Sequence, residues 1–195
     1  MRKSSTLVFS ILVSMVACTP TGERRPRKSV AERVALVLEA HASLQEIAEG
    51  LRAMADEPVK SWDGYQLDTR CPSTHWRAAN TGPTPPLMVD CGWNSEGGCV
   101  MDCYSVGCYE RELWLNDSTW RLVGFMPQDP HLFHYQLVWA ERPDGGCNTL
   151  ARALVDFEGD LNWSVYEMAI EIEPDGETKF GEFRVGPPPP PPRRR

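Results

Sequence analysis

Between residues 29 and 56 the apolar side chains recur with a period that no strand can use. Val30, Val34, Val37, His41, Leu44, Ala48, Leu51 and Ala55 follow one another at alternating steps of four and three, and Leu38, Ile47 and Met54 widen the stripe. That spacing places them on one face of an amphipathic α-helix. Ser29 with Glu32 three residues on forms a capping box at its start. Pro58 stops it, because proline disfavours helix in the residue before it and lacks the amide a helix interior needs. A helix about 40 Å long needs an apolar surface to lie on, so the rest of the chain must provide one. His41 lies within the stripe and reads as a core-boundary residue, since no other metal-type side chain shares its face.

The second half of the chain supplies that surface. ELWLND and STWRLVGF read as strands by their β-branched and aromatic content. FHYQLVWAE (133–141) and CNTLARALVDF (147–157) flank the turn residues Arg142 to Gly146 and read as a hairpin. YEMAIEIE (166–173) and ETKFGEFRV (177–185) flank Pro174-Asp175-Gly176 and read as a second one. The expected class is α+β: one long N-terminal amphipathic helix packed on an antiparallel β-sheet, with disulfide-stabilised loops.

The N-terminus sets the compartment. Arg2 and Lys3 precede an apolar to small-residue run at 6–17, and Cys18 follows directly. The run is too short for the roughly 20 residues that cross a bilayer, so it reads as a signal peptide, residues 1–17. Met15-Val16-Ala17-Cys18 has the form of a bacterial lipobox, which makes Cys18 the lipidation site. Thr19, in place of aspartate, points to the outer membrane. Residues 18–28 are then a lipid-anchored basic linker, 29–186 the folded domain, and 187–195 a tail of prolines and three arginines. The expected location is the cell envelope, facing the periplasm or the surface.

Of the chain's seven cysteines, one is Cys18. The six that remain, Cys71, Cys91, Cys99, Cys103, Cys108 and Cys147, read as disulfides in an exported chain, with 15 pairings open. Metal ligation by Cys91, Cys99, Cys103 and Cys108 is the competing reading, and their spacing contains no CxxC pair. Residues 29–192 hold 11 basic against 26 acidic side chains. So acidic a body argues against nucleic acid as a partner.

One loop has the look of a site. In DFEGDLNWSVYE (156–167), Asp156, Glu158, Asp160 and Asn162 place oxygens at alternate positions and Glu167 stands twelfth, the donor spacing of a calcium loop. The sixth position, where such a loop needs glycine, is Leu161. An acidic β-turn and a weak calcium site are both expected readings, and no other cofactor is expected. His131 and His134 stand next to Asp129, but an i, i+3 pair in a strand or loop does not face one way. No G-x-S-x-G, H-E-x-x-H or P-loop is present, and no small-molecule substrate is identified. Seven tryptophans suit a packed core, with an exposed subset free to touch carbohydrate or protein.

Two segments carry a resemblance. WRLVGFMPQDPHLFHY (120–135), through Trp120, Val123, Gly124, Phe125, Pro127, Phe133 and Tyr135, resembles the W-x-x-L-G-F-x-P…Y-x-Y segment of type IV pilin-like proteins. ARALVDFEGDLNWSVYE (151–167) resembles the A-x-A-x-G-D-L-D-G-D-G…S-T-F-E segment of the same proteins, and helix 29–56 stands where the soluble half of the pilin helix would. The resemblance implies a long helix packed on an antiparallel sheet. A lipobox stands where pilins carry a basic leader, a cleavage site after glycine and an apolar half-helix, so the likeness concerns the globular head. The expectation is a non-enzymatic, lipid-anchored envelope protein, structural or binding, with an envelope, pilus or secretion-apparatus partner. A metal-dependent envelope enzyme using Asp156, Asp160 and histidines, or a weak calcium-binding surface protein, is the alternative.

Overall fold

The computed structural model describes residues 29–56, 71, 81–91, 98–102 and 108–187. The expected signal peptide, Cys18, the basic linker, Cys103 and the tail from residue 188 lie outside the described residues. The elements run α1 (Val30–Asp56), β1 (Val100–Met101), β2 (Cys108–Tyr109), α2 (Glu112–Leu115), α3 (Ser118–Val123), β3 (His134–Glu141), β4 (Cys147–Val155), β5 (Ser164–Ile172) and β6 (Thr178–Val185). The class is α+β, with one N-terminal helix packed on an antiparallel four-stranded sheet. No helix among the described residues is long and apolar enough to cross a membrane.

The capping box at the start of α1 forms in both directions. The Ser29 amide donates to Glu32 Oε2 at 2.7 Å, and the Glu32 amide donates to Ser29 Oγ at 3.2 Å. From Leu44 onward the expected stripe is buried: Leu44, Ile47, Ala48, Leu51, Met54 and Ala55 all point inward. Before Leu44 the helix departs from expectation. Leu36 and Ala40 are buried, while Val30, Val34 and Leu38 are 80%, 53% and 63% exposed. Steps of four and three average 3.5 residues per turn, and a straight α-helix has 3.6, so the stripe drifts around the axis by about 20° per heptad. Val34 and Leu38 end up about 80° and 120° away from Leu44, on the solvent side.

Strands β3 to β6 pair in chain order as an antiparallel meander, so both expected hairpins are present. The face toward α1 buries Leu137, Ala151, Ala153, Met168 and Ile170. Tyr135 on the same face donates its hydroxyl to Ser43 Oγ of α1 at 3.0 Å. His41 packs edge-on against Phe183 of β6 with ring centres 4.9 Å apart, the boundary role its place in the stripe suggested. On the other face Gln136, Arg152, Glu167 and Arg184 form one row across all four strands. The β3 edge is covered: the Thr81 amide donates to the Leu137 carbonyl and Thr84 bridges to Tyr135. The β6 edge has no such cover among the described residues, and a bulge interrupts its register with β5 between Met168 and Ile170.

ELWLND and STWRLVGF form short helices, α2 and α3, where strands were expected. Local capping decides this. The Asp117 carboxylate accepts from the amides of Thr119 and Trp120, and Gly124 closes α3 in the left-handed region at φ 64°. The aromatic residues that suggested a strand lie on the buried side of this helical pair: Trp114 and Trp120 are each 1% exposed. Gly50 lets α1 approach α3 backbone to backbone, since a Cβ there would overlap the Val123 carbonyl oxygen.

Cys71 bonds to Cys147 and Cys91 to Cys99. Cys108 is also disulfide-bonded, to a residue outside the described set. These bonds remove Cys91, Cys99 and Cys108 from the alternative metal reading, because a disulfide sulfur is not a thiolate ligand.

Candidate functional site

The segment from His131 to His134 enters the sheet and carries two buried histidines, 3% and 2% exposed. Its alternation sends them to different neighbourhoods. His131 joins an aromatic core with Tyr109, Trp114, Phe125 and Tyr135. Its Nδ1 lies 2.8 Å from the Phe133 carbonyl, which only accepts, so Nδ1 carries the proton. Its Nε2 is therefore an acceptor and takes the Tyr109 hydroxyl proton at 2.7 Å, while Trp114 Nε1 donates to the same hydroxyl oxygen at 3.1 Å. The relay Trp114, Tyr109, His131, Phe133 is closed at every atom. Burial pushes the His131 imidazole down to about 4 and the Tyr109 hydroxyl well above its usual range.

His134 faces the other way. Its Nδ1 donates to the Pro85 carbonyl at 2.7 Å, and its ring meets Trp163 edge-on at 5.2 Å. It lies in the wall of a cleft of about 270 Å³. The 87–91 segment forms one side and includes Asp90 and the exposed Met88. The other side is the turn between β4 and β5, with Asp156, Gly159, Leu161 and Trp163. Burial pushes the His134 imidazole below its usual range, opposed by the Pro85 hydrogen bond and by the charges of Asp90 and Asp156. At neutral pH its Nε2 is thus an unprotonated acceptor.

Of the five expected metal ligands, Asp156 alone lines this cleft among the described residues, and all five already have protein partners. The Asp156 carboxylate accepts from the amides of Gly159, Asp160 and Leu161 at 2.7, 3.3 and 2.9 Å. Asp160 holds the Asn162 amide and side chain at 3.0 and 2.7 Å, and these contacts depress its carboxyl below the usual range. Glu158 pairs with Arg33 of α1 at 3.0 Å. Glu167 is out on the sheet, 1% exposed, bound to Arg152 at 2.8 Å and to Arg184 at 3.5 Å. Among the described residues no group of three or more His, Cys, Asp or Glu side chains is arranged to hold a metal ion. Leu161, in the position glycine fills in a calcium loop, takes the left-handed conformation anyway, at φ 65°.

Sequence reasoning found the acidic loop and missed what it borders. Asp90 and Trp163 join His134 only through the tertiary fold, and no local pattern links residue 90 to residue 163. The usable signal was the alternation at 131–135, which gives the two histidines opposite faces. No family model, curated protein or solved structure matches the chain.

Proposed function

We propose that this protein is a lipid-anchored cell-envelope module whose pilin-like head binds a partner protein of a pilus or secretion apparatus and performs no chemistry of its own. The observation that carries this reading is the ridge formed by Val30, Val34 and Leu38. Three branched apolar side chains one turn apart stand exposed on the first half of α1, next to the linker that leads to Cys18. A contiguous apolar stripe of this kind marks an interaction surface more often than a solvated face. The helix-on-sheet order agrees with what the resemblance to pilin-like heads implies, and the basic linker at 24–28 suits an anionic headgroup surface beside the lipid anchor.

Two measurements test the reading. Mass spectrometry of the mature N-terminus is expected to find a diacylglyceryl group on Cys18. A photo-crosslinking side chain at position 34 or 38 in cells is expected to capture a discrete envelope protein, while the same group at exposed Ala53 on the second half of α1 captures none. An unmodified Cys18, or equal labelling at all three positions, would defeat it.

A weak calcium loop at 156–167 is the second reading. It is favoured by the left-handed Leu161 and by three amides converging on Asp156, the turn such a loop needs. Thermal melting with millimolar calcium tests it, and an unchanged midpoint would end it.

A further inference from the structure

Two stretches of the chain carry the acceptor pattern for N-linked sugar, an asparagine with a hydroxyl residue two places on and no proline between: Asn116-Asp117-Ser118 and Asn162-Trp163-Ser164. The fold treats them differently. Asn116 is the C-cap of α2, in the right-handed helical region, and its amide is bound to the Glu112 carbonyl. Asp117 caps α3 with its carboxylate, and Ser118 is the first residue of that helix. That acceptor is therefore fixed between two helices, and the residue two places before it is the buried Trp114.

Asn162 stands in the turn between β4 and β5, and Asp160, Leu161 and Asn162 are all exposed. The Asn162 backbone amide and its side-chain nitrogen Nδ2 donate to the Asp160 carboxylate at 3.0 and 2.7 Å. Both are surface contacts between near neighbours, so a protein that binds this turn exchanges them for bonds of its own at little cost. Ser164 opens β5 as the last pair of the ladder with β4, opposite Val155, so only an end pair has to yield. Asp160 lies two places before the asparagine. The stretch Asp160-Leu161-Asn162-Trp163-Ser164 thus has the longer, acid-preceded acceptor form that bacterial oligosaccharyltransferases use. Its contacts hold the Asp160 carboxyl below the usual range, which keeps it an anion that a cationic group on a transferase can pair with.

We infer that Asn162 is an acceptor for an N-linked oligosaccharide delivered on a polyprenyl diphosphate, and that Asn116 is not. Nδ2 of Asn162 attacks the anomeric carbon of the reducing-end sugar. The bond from that carbon to the diphosphate oxygen breaks as the carbon–nitrogen bond forms. The polyprenyl diphosphate leaves with the bonding pair, the proton shed by Nδ2 passes to a base of the transferase, and nothing is oxidised or reduced. In the cell this modification rests on the export in the reading above, since such carriers present their sugar outside the cytoplasmic membrane.

The test is run outside the cell. The folded full chain in a neutral detergent is incubated with a bacterial oligosaccharyltransferase and a polyprenyl-diphosphate-linked oligosaccharide, then reduced, alkylated and cut with trypsin. Cleavage after arginine and lysine puts Asn116 in the 112–121 peptide and Asn162 in the 153–179 peptide. Mass spectrometry is expected to find the oligosaccharide mass on 153–179 and none on 112–121, a result that needs no variant to fold. Asn162→Gln, Ser164→Ala and Asp160→Asn are each expected to abolish the transfer, and Ser164→Thr to retain it. An unmodified 153–179 peptide from the unaltered chain, equal modification of 112–121, or transfer undiminished by Ser164→Ala or by Asp160→Asn would overturn the assignment. Transfer in this reaction does not depend on export, and the Cys18 mass and the crosslinks at positions 34 and 38 do not depend on Asn162, so the two readings fail separately.

Discussion

The aromatic core around His131 and the cleft around His134 start from nearly the same ingredients. Both histidines are buried, both donate Nδ1 to a backbone carbonyl, and burial pushes both below the usual imidazole range. Tyr109 separates them. At His131 its hydroxyl closes the second nitrogen and is itself held by Trp114. At His134 the equivalent place is the cleft. The buried His131 has both nitrogens satisfied and belongs to the scaffold, while His134, which lines a cleft, has its second nitrogen without a partner among the described residues. Burial or a lowered pKa alone does not tell the two apart.

The largest effect that could break this contrast is on stability in acid. His131 titrates near 4 when folded and near 6.5 when unfolded, so the unfolded chain binds the extra proton first. Its contribution is therefore complete above about pH 6.5 and is lost as the pH falls toward 4, a change of about 3 kcal/mol. Denaturant unfolding at several pH values measures it, and a flat profile would mean that His131 is not held neutral by the core. Tyr109→Phe comes next. It leaves Trp114 Nε1 and His131 Nε2 without their shared partner, and a loss of about 2 kcal/mol is expected in denaturant unfolding at neutral pH. The smallest effect is expected at the cleft's lip. Leu161→Gly relieves a left-handed leucine at some cost in unfolded-chain entropy, for a net gain of about 0.5 kcal/mol in thermal melting. A loss instead would show that the exposed leucine packs against the cleft more firmly than its accessibility suggests.

The readable parts of the sequence were those set by local rules. Ser29 and Glu32 announced the start of α1, and the turn residues at 142–146 and 174–176 announced both hairpins at the places they occupy. The exposure of Val34 and Leu38 in the first half of α1 is not legible in the four-and-three spacing, which hides a slow rotation about the helix axis, while Val37 and His41 still pack inward. Helices α2 and α3 are hard to read from the sequence because tryptophan, leucine and valine suit a strand and a buried short helix equally, and for α3 the deciding residues are the caps Asp117 and Gly124. The cleft was legible on one side only. Its acidic turn is contiguous in the chain, while Asp90 reaches it through a segment tied down by the Cys91–Cys99 disulfide, and no periodicity records that.

The β6 edge, uncovered among the described residues, bears on whether a second copy could pair with this sheet. A bare edge offers unpaired amides and carbonyls on which a second copy could extend the sheet. Here that edge carries Lys179, Glu182 and Arg184 among apolar residues, and the bulge at Gly181 and Glu182, opposite Ala169, breaks the straight register a neighbouring strand would need. Removing those charges is expected to make this edge pair more readily with a second copy.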